Sequence, residues 1–154
     1  MSDSPAPKHV LVPTDGSPQS ERALDFALTF DDARITLLTV IDPVDIDPLT
    51  TGYQSPTGVP GMPGYSEEWY EGVRDDAEAL HERLRERAND PDRIEGGEIV
   101  FGRSARRICA YVADHDVDHV VMGAHGRTGI TRVLLGNTAE SVVRRSPVNV
   151  TVIR

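Results

Sequence analysis

At 154 residues, 38% of them apolar and only 5% aromatic, the chain has the size and composition of one soluble α/β domain with a real core. No run approaches the ~18 consecutive apolar residues of a membrane helix, and the one cysteine, Cys109, cannot form an intrachain disulfide. The formal net charge of −9 argues against general nucleic-acid binding, and no segment suggests a membrane partner.

The stretch 1–7 is short, polar and proline-containing, without an apolar leader, and is expected to be a flexible terminus of a cytoplasmic protein. His9 to Val12 is a short apolar run closed by Pro13-Thr14-Asp15-Gly16-Ser17, which reads as a buried strand and a turn. Ser17 is placed to cap a helix with Pro18 at its first position, and Ala23, Phe26, Ala27 and Phe30 supply its apolar face. Arg34 to Ile41 follows as a second strand. The segment 42–65 carries five prolines and four glycines and reads as a long loop, of the kind that serves function or stays disordered.

Ser66 opens the longest helix. Trp69, Val73, Ala77, Leu80, Leu84 and Ala88 recur at intervals of three or four, acids cluster at its start and arginines at its end, and Asn89-Asp90-Pro91 stops it. Glu98 to Phe101 is expected as a third strand. Ser104 is expected to cap a third helix with Ala105, Ile108, Cys109 and Val112 inward, Cys109 acting as a small core residue. Asp118 to Met122 reads as the fourth strand, Gly136 to Arg145 as the fourth helix and Val148 to Ile153 as the last strand.

Alternating strands and helices predict a single-domain α/β fold over 1–154, with an open parallel sheet of five strands covered by helices on both faces. Strand order 3-2-1-4-5 would put the switch point between strands 1 and 4, where such sheets bind ligands. Pro13-Thr14-Asp15 and Gly123-Ala124-His125-Gly126 would then face one crevice. Glycines between a strand and a helix admit an anion to backbone N–H groups, and a helix start carries roughly half a positive charge. Arg127 and Arg132 add full charges suited to phosphate. The bland alternatives are tight turns and helix–sheet packing for the glycines, and a simple cap for Asp15. His9, His81, His115 and His119 are dispersed without metal-ligand spacing, and the arginines of the long helix read as a solvated face.

The spacing Gly123-x2-Gly126-x9-Gly136, the opening Val-Leu-Val-Pro-Thr-Asp-Gly-Ser and the closing Leu134-Leu135-Gly136-Asn137-Thr138-Ala139-Glu140 together resemble the universal stress protein family over the whole chain. The resemblance implies a Rossmann-like fold of the adenine nucleotide alpha hydrolase type. It also implies an ATP site, or one for ADP or AMP. Pro13, Thr14 and Asp15 would lie beside ribose and phosphates, with Asp15 able to join a Mg2+ ion. Val40 would meet adenine through its backbone. Met122 and Gly123, His125 through its backbone, Gly126, Arg127 and Gly129 would wrap ribose and phosphates. Gly136, Asn137 and Thr138 would present phosphate-binding amides. The family pattern has Ser or Thr after the last glycine. Asn137 keeps a polar amide but has no hydroxyl for a metal, which Thr138 could partly replace.

No Walker loop, Ser-Gly-Gly-x-Asp-Ser loop or His-x-Gly-His sequence is present, and no general base stands beside the glycines. The reading is therefore a nucleotide-binding stress-response switch with little or no catalysis. Slow ATP hydrolysis through Asp15 and a metal, or a nucleotide-free dimeric interaction module, are the alternatives. Val148 to Ile153 is β-branched and terminal, and as a sheet edge it would pair with its copy in a homodimer; a further protein partner is left open. Lys8 is the sole lysine among 16 basic residues. An acidic, lysine-poor surface suits a high-salt cytoplasm, a GC-rich genome being the alternative origin.

Overall fold

The computed structural model describes residues 5–43, 66–125 and 135–154. Its elements run β1 (His9–Pro13), α1 (Pro18–Ala27), β2 (Arg34–Ile41), α2 (Glu67–Arg87), a 3-10 turn (Pro91–Arg93), β3 (Ile94–Phe101), α3 (Ser104–Asp114), β4 (His119–Gly123), α4 (Asn137–Arg145) and β5 (Asn149–Ile153). The strands form one parallel sheet in the order β3-β2-β1-β4-β5. The long Pro/Gly-rich stretch expected as a loop lies, from residue 44 to 65, outside the described residues.

The sheet is apolar on both faces because both are covered, which is why its central strands read as continuous apolar runs rather than alternating ones. Val10, Val12, Ile35, Leu37 and Val121 point to one face, where they meet Ala23, Leu24 and Ala27 of α1 and Leu80 and Leu84 of α2. Leu11, Leu38, Val120 and Met122 point to the other, against Ile108 and Val112 of α3 and Ala139 and Val142 of α4.

Four local expectations are corrected. The buried stripe of α1 is Ser20, Ala23, Leu24 and Ala27. Phe26 sits to one side, 39% exposed, with its ring edge-on to Phe30. Residues three and four apart share a face, and the small Ala–Ala stripe with Leu24 fits the sheet more closely than a phenylalanine would. β3 begins at Ile94, four residues early: Glu95-Gly96-Gly97 is a poor strand by propensity, but Ile94 pairs with Ile35 and Gly96-Gly97 with Thr36-Leu37 of β2, Glu95 being the extra residue at a register shift. Arg103, not Ser104, is the cap position of α3, and it makes no side-chain capping bond. Cys109 is only half-buried, with burial pushing its thiol pKa upward.

Candidate functional site

Strand order reverses at β1, which pairs with β2 on one side and β4 on the other. The β1–β2 pairing runs to Pro13–Leu38, whereas the β1–β4 pairing ends at Leu11–Val120. The two strands therefore part as they reach their carboxyl ends. The Thr14–Ser17 turn leaves one side of this opening and Gly123–His125 leaves the other.

The turn after β1 is held by its own polar side chains. The Ser17 amide donates to Asp15 Oδ1 at 2.9 Å, an Asx turn. Gly16 has φ 82°, a left-handed conformation that glycine adopts without strain. Ser17 caps α1, its hydroxyl oxygen accepting from the Ser20 amide at 3.2 Å. The Ser20 hydroxyl donates to the Ser17 carbonyl at 2.8 Å and accepts from the Thr14 hydroxyl at 3.1 Å. Asp15 thus has the capping role that its position allowed, while its carboxylate stays at the mouth of the opening, half-buried.

On the other side, two of the glycines serve close packing. A Cβ on Gly123 would stand 2.9 Å from Gln19 Cβ and 3.2 Å from the Gln19 carbonyl carbon, so the first turn of α1 needs this position bare. The Gln19 side-chain oxygen accepts from the His125 amide at 2.7 Å. The Gly136 amide donates to the Ala124 carbonyl at 2.7 Å, and a Cβ on Gly136 would come within 3.0 Å of that oxygen. The His125 amide is therefore already engaged, which leaves its carbonyl and ring for any ligand. Its Nε2 is buried and has no hydrogen-bond partner among the described residues.

The start of α4 offers first-turn amides of the kind that bind an anion. Its N-cap is Gly136, which has no side chain to accept from the first-turn amides. Asn137 is exposed and Thr138 half-buried, while Ala139 is in the core. Pro13 ends β1 and Val40 is the last residue but one of β2, both half-buried, and Met122, 5% exposed, turns its side chain into the core below. Gly126, Arg127, Gly129 and Arg132 lie outside the described residues.

An adenine nucleotide fits this donor set in kind: uncapped helix amides for phosphate, an imidazole nitrogen unpartnered among the described residues and a strand-end carboxylate. Among the described residues no group of three or more His, Cys, Asp or Glu side chains is placed to hold a metal. A Mg2+ ion here would rely on phosphate oxygens and water, with Asp15 as one ligand.

Sequence reading missed the layer beneath the turn. His81 on α2 is 4% exposed, and Thr39 of β2 is buried beside it. Burial, and then the positive charge of Arg85, push the His81 pKa down to about 4. His9 and His119 are also pushed down, first by burial. The signal was available for His81: it falls on the stripe Ala77, Leu80, Leu84.

The universal stress protein family model matches residues 7–154. This chain belongs to the universal stress protein family. Universal stress protein MJ0577 of Methanocaldococcus jannaschii is 29% identical over 154 residues, spanning 96% of this chain and 94% of that protein. The solved structure of MJ0577 superposes with a TM-score of 0.75 at 27% identity, covering 95% of this chain and 94% of that one. Universal stress protein UspA from Lactobacillus plantarum gives 0.71 at 27% identity, with 96% and 97% covered. A universal stress protein family protein of Arabidopsis thaliana with AMP bound shares the fold at 21% identity, with a TM-score of 0.58 and 96% and 91% covered. No described helix of this family member is long and apolar enough to cross a membrane.

Proposed function

We propose that this universal stress protein binds an adenine nucleotide, with ATP the first candidate, in the opening between β1 and β4. It acts there as a stress-response switch with little or no catalysis. The observation that carries the reading is the parting of β1 and β4 beyond Leu11–Val120, with the Asp15 turn on one wall and the uncapped start of α4 close by. The AMP-bound Arabidopsis protein supports it as a member of the same fold class with such a ligand. Pro13, Thr14 and Asp15 border ribose and phosphates, Val40 offers backbone to adenine, and Asn137 and Thr138 offer amides to phosphate. Gly126, Arg127 and Gly129, from the stretch of sequence between, complete the set.

Purified protein in high salt is expected to gain thermal stability with ATP-Mg2+. At a ligand concentration of 100 times Kd the gain is about 2.7 kcal/mol, or roughly 5–10 °C in Tm. Mass spectrometry of small molecules released from natively purified protein should show an adenine nucleotide. No shift at millimolar ATP would overturn the reading.

The packing roles of Gly123 and Gly136 favour, in that event, a nucleotide-free dimeric interaction module. β5 is a sheet edge of Asn-Val-Thr-Val-Ile, uncharged and half-buried, and Val143 on neighbouring α4 is 46% exposed. Such an edge suits pairing with a second copy. Sedimentation equilibrium of the full chain should therefore give the mass of a dimer, and a monomer would remove this surface as an interface.

A further inference from the structure

Thr14 has every polar group committed. Its amide donates to the Leu38 carbonyl at 2.8 Å and its hydroxyl to Ser20 Oγ at 3.1 Å. Its carbonyl accepts from the Thr39 hydroxyl at 3.0 Å. The same Thr39 oxygen lies 2.7 Å from His81 Nε2. A threonine hydroxyl has one hydrogen, and Thr39 gives it to Thr14. Nε2 must therefore be the donor in the second bond, so the ring is the tautomer with its proton on Nε2. The bonds run in one direction, from α2 through β2 to the last residue before the Asp15 turn.

The ring has space only because position 97 is glycine. A Cβ there would stand 2.1 Å from His81 Nδ1 and 3.0 Å from Cγ. The two glycines that make Glu95-Gly96-Gly97 a weak strand thus include one that the imidazole requires. The described peptide bonds are all trans, so the N–H of each points opposite to its C=O. With the Thr14 carbonyl drawn towards Thr39, the Asp15 amide is directed away from β2, to the side on which β1 parts from β4.

We propose that His81 and Thr39 are positioning residues for the opening: anchoring the Thr14 carbonyl from beneath, they hold the Asp15–Ser17 turn in the orientation a nucleotide needs. The geometry stands by itself, and its consequence for affinity rests on the nucleotide reading. Neither residue touches the ligand. His81 fixes the Thr39 hydroxyl, and that hydroxyl holds the carbonyl of the peptide unit that leads into the turn, a tether additional to the turn's own Asx bond.

The test compares wild type, Thr39→Val and Thr39→Ser by two measurements, amide hydrogen exchange of the ligand-free chain and the Kd for ATP-Mg2+. Thr39→Val keeps the shape and removes the hydroxyl, whereas Thr39→Ser keeps the hydroxyl. Exchange at residues 14–20 is expected to rise about tenfold in Thr39→Val relative to residues 120–122, the Kd to rise about tenfold, and Thr39→Ser to restore both. If Thr39→Val folds too poorly to measure, His81→Leu leaves Thr39 its hydroxyl but not its anchor. It should accelerate the same segment to a lesser extent. Equal or unchanged exchange in the two segments would overturn the positioning role. Selective acceleration with unchanged Kd would overturn its consequence for binding. Selective acceleration in a protein whose wild type binds no ATP would uphold the tether and overturn the nucleotide reading instead.

Discussion

Acidification from pH 7 to pH 4 is expected to remove about 3 kcal/mol of stability through His81 alone. The unfolded imidazole takes its proton near 6.5, whereas the folded one resists until about 4. Between those values the unfolded chain holds more protons than the folded one, so stability falls as pH falls. Above 6.5 the contribution is complete, and below 4 this group costs nothing more. His9 and His119 are shifted in the same direction and add to the same loss. The cause is local: a charged ring would be caged between α2, Thr39 and Gly97, with Arg85 adding a like charge. Urea melts at pH 7.5, 5.5 and 4.5 measure the effect in wild type and His81→Gln. Carboxylate protonation destabilises both proteins alike, so the difference between them isolates the histidine. The variant should start less stable and lose less, and parallel losses would show that the ring escapes to solvent before it titrates.

The sheet was legible because its evidence is local and repeated. Val10–Val12 and Val120–Met122 are apolar on both sides of the pleat, as are Ile35, Leu37 and Leu38 around Thr36, and strands of a doubly covered parallel sheet read this way. The opening was legible because two turn sequences rich in glycine end the two strands that flank the reversal. What could not be read was what each glycine does. Gly123 and Gly136 share the spacing of a phosphate loop, yet each faces protein: one the backbone of α1, the other the Ala124 carbonyl. A sequence says that a Cβ is absent, not what occupies its place. The polar layer was missed for a related reason. Thr39 looks like one more β-branched strand residue and His81 like a dispersed histidine. Their bond joins residues 42 apart, with Gly97 making the room. Phe26 shows the limit of periodicity: the stripe was found, but its centre was set one position off.

Arg93→Ala is expected to cost about 3–4 kcal/mol and to lower Tm by roughly 6–15 °C. Unlike the arginines of the long helix, which read as a solvated face, this one ends the 3-10 turn and enters the connection between α1 and β2. Its Nη1 donates to the Phe30 carbonyl at 2.6 Å and the Ala33 carbonyl at 3.4 Å, its Nη2 to the Leu28 carbonyl, and its Nε to Asp90 at 2.8 Å. Leu28 is the C-cap of α1, where unpaired carbonyls accumulate negative partial charge. The connection also carries Asp32 at φ 60°, a left-handed conformation that a non-glycine residue adopts at a cost. One guanidinium therefore gathers three carbonyls that would otherwise point at each other across a tight bend. Alanine leaves all three part-buried without this donor. Lysine presents a single ammonium that cannot reproduce the fork, so Arg93→Lys should recover less than half of the loss. Asp90→Ala should cost under 1 kcal/mol, because that carboxylate is half exposed and serves only to steady the fork. Thermal melts of the three variants decide the order. An Arg93→Ala cost below 1 kcal/mol would mean that water reaches these carbonyls, and the tie between α1 and β3 would then rest on packing alone.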